Sequence, residues 1–178
     1  MRATAIPCLF MRGGTSKGPF FQAADLPADV ATRDRVLLAI VGSPDKRQID
    51  GLGGAHPLTS KVGIVAASTR PGIDLEFLFA QLQPDKDTVD TTPHCGNMLA
   101  AVVPFAIETG MVAPRGSTST LRVLTLNADT ACDITVATPD GRVEYDGDAR
   151  IDGVPGRSHG ARRVVATRRC HERVIRAT

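Results

Sequence analysis

The chain has 178 residues, 42% of them apolar, with no tryptophan and a single tyrosine, Tyr145. That is enough to bury one sizeable core and too few aromatics for a surface that stacks nucleic-acid bases. The net charge of +2 hides an asymmetry, because residues 157–178 hold seven arginines against one acid, Glu172, leaving 14 basic and 18 acidic side chains in residues 1–156.

Thr4 to Met11 reads as a strand, its apolar run being far too short for a signal-peptide core or a membrane span. The glycine loop Gly13-Gly14-Thr15-Ser16-Lys17-Gly18 follows, and Pro19-Phe20-Phe21 opens a returning strand. Between Ala31 and Val41 the apolar spacing predicts one amphipathic helix, with Asp29 as its cap and Gly42 as its stop. Val62 to Ala67 and Ile73 to Leu82 read as strands, the second with Leu75, Phe77 and Phe79 on one side. A buried helix is expected from Met98 to Thr109, kinked by Pro104 and ended by Gly110. Strands over Leu121 to Leu126 and Ile134 to Thr138 then lead to a turn at Pro139-Asp140-Gly141 and a return through Val143-Glu144-Tyr145. Strands dominate, so the class is α+β rather than a doubly wound nucleotide fold.

Four segments carry candidate chemistry. The Gly13–Gly18 loop offers flexible backbone, two hydroxyls and the cation Lys17, which suits an oxyanion; its order of residues is not that of a P-loop. Asp50-Gly51-Leu52-Gly53-Gly54-Ala55-His56 imitates a dinucleotide fingerprint, but His56 stands at the last glycine position and a strand follows, so no nicotinamide or flavin is expected. Lys61 stands at the mouth of an apolar strand, where desolvation favours a neutral, proton-accepting amine; a surface lysine with a buried stem is the plainer alternative. Cys95 immediately precedes the helix, whose first N–H groups favour a thiolate and suit a substrate carboxylate; a small apolar filler is again the alternative. His56 and His94 have neither the placement for a Cys-His dyad nor the spacing of metal ligands. The four cysteines, Cys8, Cys95, Cys132 and Cys170, lack the pairing density of a secreted scaffold and fit a reducing, cytoplasmic setting.

Taken in order, Met11-Arg12-Gly13-Gly14-Thr15-Ser16-Lys17-Gly18, Asp50 to Val62 and Cys95-Gly96-Asn97 resemble the PrpF-type isomerases of the diaminopimelate-epimerase-like superfamily. Pro57-Leu58 beside Thr59-Ser60-Lys61 is most similar to the 4-oxalomesaconate tautomerase branch. The resemblance runs from about Ile6 to Gly156 and implies an α+β domain, a curved mixed sheet wrapped around a central helix, forming one half of a two-domain fold. It implies cofactor-independent proton transfer on an unsaturated di- or tricarboxylic keto acid, with 2-methylaconitate isomerisation as the alternative in the same family. Lys61 and Cys95 would be the acid/base pair. Thr15, Ser16, Ser60, Gly96 and Asn97 would line the substrate pocket, with Lys17 and Arg12 beside them; no metal, membrane or nucleic acid is implied.

Members of that family are much longer, and residues 157–178 depart from its pattern. The expectation is an interrupted or frame-shifted second half, leaving an inactive fragment or a homo-oligomer through the uncovered domain face. The alternative is a dedicated half-protein whose basic tail contacts a partner. A nucleic-acid arm stands third, since the tail has no helical amphipathicity.

Overall fold

The computed structural model describes residues 4–146, 150–152, 154 and 164–165. The sheet begins with β1 (Leu9–Gly13) and β2 (Ser16–Gln22), an antiparallel hairpin. Gly13 faces Ser16 across it, so only Gly14 and Thr15 remain for the turn, and Gly14 takes φ 53°. The expected six-residue loop is therefore a two-residue turn, with Ser16, Lys17 and Gly18 already in strand. Residues 4–8, expected in the first strand, precede it.

The helix α1 (Val30–Val41) starts where Asp29 accepts a hydrogen bond from Thr32 N at 2.9 Å and stops at Gly42, φ 88°, as its sequence dictates. β3 (Lys61–Ala67) then runs parallel to β2 and antiparallel to β4 (Leu75–Leu82). A short β5 (Val89–Asp90) pairs with the end of β4 at Gln81 and Leu82. β6 (Thr118–Thr125) joins β4 in parallel through only three residue pairs, and β7 (Thr130–Ala137) closes a long hairpin with β6. β8 (Val164–Val165) pairs with Thr135 and Val136 of β7. The rest of the arginine-rich segment lies outside the described residues. No strand forms over 143–145: after the turn with Asp140 at φ 54° and Gly141 at φ 73°, the chain makes one ladder-like bond, Glu144 N to Ala137 O.

Alternation along the strands separates two cores. Phe20, Val65, Leu75, Phe77, Phe79, Leu121 and Ile134 face one way. Phe21, Val62, Ile64, Ala80 and Leu82 face the other, against Leu37 and Val41 of α1. The first core is filled by two helices where one was expected, α2 (Gly96–Leu99) and α3 (Val102–Glu108). Pro104 has no N–H for the Ala100 carbonyl, and the chain breaks there: Ala101 takes φ −92°, ψ −3° and bonds Met98 O at 3.0 Å. The curled sheet wraps this broken helix, burying Met98, Val102, Val103 and Phe105.

Candidate active site

The pairing directions gather the candidate residues at one end of the sheet. β1 ends there at Gly13 and β2 starts there at Ser16; β3 starts there at Lys61 and β4 ends there near Gln81. Because β6 is parallel to β4, the β6–β7 turn arrives at the same end. α2 docks on this end, and its contact with β1 is backbone against backbone. A Cβ on Gly13 would stand 2.0 Å from the Asn97 carbonyl oxygen, and one on Gly14 2.2 Å from Asn97 Oδ1. Asn97 Nδ2 donates to Thr15 Oγ1 at 2.9 Å and approaches Ser16 Oγ at 3.5 Å. Thr15, Ser16 and Asn97 are thus one cluster, and hydroxyls that accept from Asn97 keep their own protons to donate.

Cys95 is the residue just before α2, half-buried and extended (φ −135°, ψ 99°). It lines a cavity of about 520 Å³ together with His94, Gly96, Leu99, Phe77 and the β6–β7 residues Thr125, Asn127, Thr130 and Cys132. The helix behind it is a single turn, so what it offers a ligand is the N–H groups of its first residues rather than a long macrodipole.

Lys61 is 8% exposed. Its Nζ donates to Gln81 Oε1 at 2.6 Å and stands 4.8 Å from the centre of the Phe79 ring. Phe77 and Phe79 are two residues apart on one face of β4, so the Lys61 amine and the cavity that Cys95 lines belong to the same side of the sheet. Lys61 does not itself line the Cys95 cavity. Gly18 permits the close packing behind it: a Cβ there would meet the Lys61 carbonyl oxygen at 1.9 Å.

The other candidates sit apart from this cluster. Ser60 is fully buried and its hydroxyl is 2.8 Å from Gln48 Oε1 and 2.9 Å from His56 O, which ties it to the preceding loop. Arg12 Nη1 donates to Gly14 O at 2.9 Å, buttressing the hairpin turn. Lys17 is exposed, its Nζ 5.9 Å from the Phe10 ring centre. His56 accepts from Leu58 N through Nδ1 at 3.1 Å and caps a short turn of helix. Among the described residues no group of three or more His, Cys, Asp or Glu could hold a metal ion.

Two residues escaped the sequence reading. Gln81 carries a signal that could have been read: it follows Leu75, Phe77 and Phe79 in phase, a polar side chain on the core face. Asn127 carries none, being one polar residue in a turn. Its Oδ1 accepts from Phe79 N at 2.8 Å and its Nδ2 donates to Phe79 O and Thr91 O at 2.8 and 2.7 Å.

A curled mixed sheet around a broken helix, with a cysteine at the helix start and a lysine on the adjoining strand, defines a domain of the diaminopimelate-epimerase-like fold. It superimposes on the crystal structure of a methylitaconate-delta-isomerase with a TM-score of 0.82 and 46% identity, over 85% of this chain and 39% of that one. The chain belongs to the PrpF family, whose model, described as PrpF protein, matches residues 3–165. It is 57% identical over 150 residues to a (4E)-oxalomesaconate Delta-isomerase of Novosphingobium sp. (strain KA1), covering 84% of this chain and 42% of the relative. It is 56% identical over 158 residues to a 4-oxalomesaconate tautomerase of Pseudomonas putida (strain KT2440), covering 89% and 44%. The chain therefore spans less than half the length of these relatives.

Proposed function

We propose that this chain carries the acid/base half-site of an isomerase that shifts a proton across an unsaturated keto acid of the 4-oxalomesaconate type. One group removes a proton from the carbon beside the carbonyl, the electron pair moves into the carbonyl to give an enolate, and the other group returns a proton at the far end of the conjugated system or on oxygen. Lys61 and Cys95 are the two groups. Thr15, Ser16 and the N–H groups opening α2 are donors for the enolate oxygen and the substrate carboxylates. The steps need no electron carrier and no metal.

The observation that supports this most is that the Lys61 amine lies over Phe79 while the cavity lined by Cys95 is bounded by Phe77, on the same face of the same strand. The names of the 56–57% identical relatives point to the same substrate class. Gly96 and Asn97 belong to the donor set by position; Ser60, Lys17 and Arg12 act in this reading by holding Lys61 and the hairpin in place. A cytoplasmic setting agrees with the free thiols of Cys8, Cys95 and Cys132. Among the described residues no helix is long and apolar enough to cross a membrane. Exposed Phe10, Ile49, Leu52 and Leu58 supply apolar surface for self-association.

The test is deuterium incorporation into 4-oxalomesaconate in deuterated water. The chain is expected to accelerate exchange, and Cys95→Ala and Lys61→Ala each to reduce it about 100-fold or more. Unchanged exchange in both variants, or none with the wild-type chain, overturns the proposal.

A further inference from the structure

We propose that Gln81 is the positioning residue of Lys61, a neutral acceptor that aims the amine without fixing its charge. The inference rests on the reading of Lys61 as an acid/base group.

Lys61 is almost wholly buried, yet its partners are an amide oxygen at 2.6 Å and an aromatic face, and among the described residues no carboxylate lies within 4 Å of its Nζ. A buried ammonium is ordinarily paired with an acid. The charged groups on the surrounding strands are engaged elsewhere: Glu76 with Arg70 at 3.1 Å, Lys17 over Phe10, and Asp90 with Thr92 N at 2.9 Å. Of the other titratable groups nearby, His94 and Cys95 line the adjoining cavity.

The Gln81 amide cannot turn over. Its Nε2 lies 2.8, 3.1 and 3.2 Å from the carbonyl oxygens of Leu82, Pro57 and Ser60, which accept only. Oε1 is therefore committed to Lys61. An amide oxygen accepts from both –NH₃⁺ and –NH₂, more strongly from the cation but without a full opposing charge, so the amine keeps its place as its proton comes and goes. A carboxylate at that point would hold the proton on Lys61.

The experiment follows the Lys61 ¹³Cε resonance against pH in lysine-labelled chain, assigned by its loss in Lys61→Arg. Gln81→Glu is expected to raise the titration midpoint by about one pH unit or more, a tenfold bias toward the charged amine. Gln81→Met, which keeps the volume without the acceptor, is expected to lower it. A folded Gln81→Glu or Gln81→Met with an unmoved midpoint overturns the inference, and so does loss of fold in both variants, which would make Gln81 structural. Deuterium exchange by Lys61→Ala separates the two readings. If exchange persists, the acid/base assignment fails, while the resonance still reports whether Gln81 governs the amine.

Discussion

At the level of single residues, the glycines were the least legible part of the sequence and are among the most constrained in the structure. Asp50-Gly51-Leu52-Gly53-Gly54 imitates part of a dinucleotide fingerprint, but its glycines let the chain lie against the end of α1. A Cβ on Gly51 would stand 2.4 Å from the Val41 carbonyl oxygen, and one on Gly53 2.2 Å from Gln48 Oε1. Gln48 is buried there at φ 49°, its carboxamide shared by Ser43, Ala55 and Ser60. A motif alphabet reports a glycine but not what approaches it, and the approach here is by residues distant in sequence. Gly13 gives the sharpest expectation. Gly13→Ala drives a methyl into the Asn97 carbonyl, with no flexible side chain to give way, and should lower stability in urea by about 1–3 kcal/mol. Gly110→Ala, with open space around the new methyl and φ 72°, should cost only about 1 kcal/mol of backbone strain. Equal costs for the two would mean that α2 is free to move away from the hairpin.

Among the elements, α1 was readable from its apolar spacing and its Asp29 and Gly42 ends, β3 as a short apolar run buried on both faces, and β4 from Leu75, Phe77 and Phe79 recurring on one side. β6 and β7 begin several residues before the sequence suggests, at Thr118 and Thr130. In β6 the reason is specific: Ser119 points inward and is fully satisfied, accepting from Arg115 N at 2.8 Å and pairing with the Thr138 hydroxyl at 2.9 Å. A buried, bonded hydroxyl looks like loop in a hydropathy pattern. Pro104 does interrupt the helix, as its sequence suggests, but the outcome is a full break rather than a kink. A proline in the interior of a continuous helix costs about 3 kcal/mol, whereas in a first turn its missing N–H had no partner to lose. In the structure it is the third residue of α3, after the break at Ala100 and Ala101. Pro104→Ala should accordingly change the urea midpoint little, by less than about 1 kcal/mol. A gain near 3 kcal/mol would show that the helix is continuous and strained instead.

For the whole molecule the decisive feature is a seam. β1 to β4 form one part of the sheet and β6 to β7 another, and only Leu75, Glu76 and Phe77 pair across, with Val123, Leu124 and Thr125. Each end of this short ladder is fastened by a side chain. At the end near the Cys95 cavity, Asn127 takes the place of a strand between β6 and β5, bonding both backbone groups of Phe79. At the far end Asp74 accepts from Arg122 N at 2.7 Å and pairs with Arg115 at 2.6 Å. Partial burial of Asp74 opposes its ionisation, but the Arg122 N–H and the Arg115 guanidinium outweigh it and hold the carboxyl below the usual aspartate range. A group lowered in the folded state stabilises fully above its unfolded value, near 3.9, and that contribution is lost as pH falls through the lower folded value. Acid should thus loosen the Asp74 end while leaving the amide clamp at Asn127 intact. The urea midpoint of the wild-type chain should fall below pH 4 more steeply than that of Asp74→Asn, whose neutral side chain has no proton to gain. At pH 7 Asp74→Asn should be less stable by about 1 kcal/mol, since Arg115 is half exposed and its ion pair is screened. Asn127→Ala should cost about 2–3 kcal/mol at every pH, because it strands hydrogen-bonding groups of Phe79 and Thr91. Parallel pH profiles for wild type and Asp74→Asn would remove Asp74 from the seam.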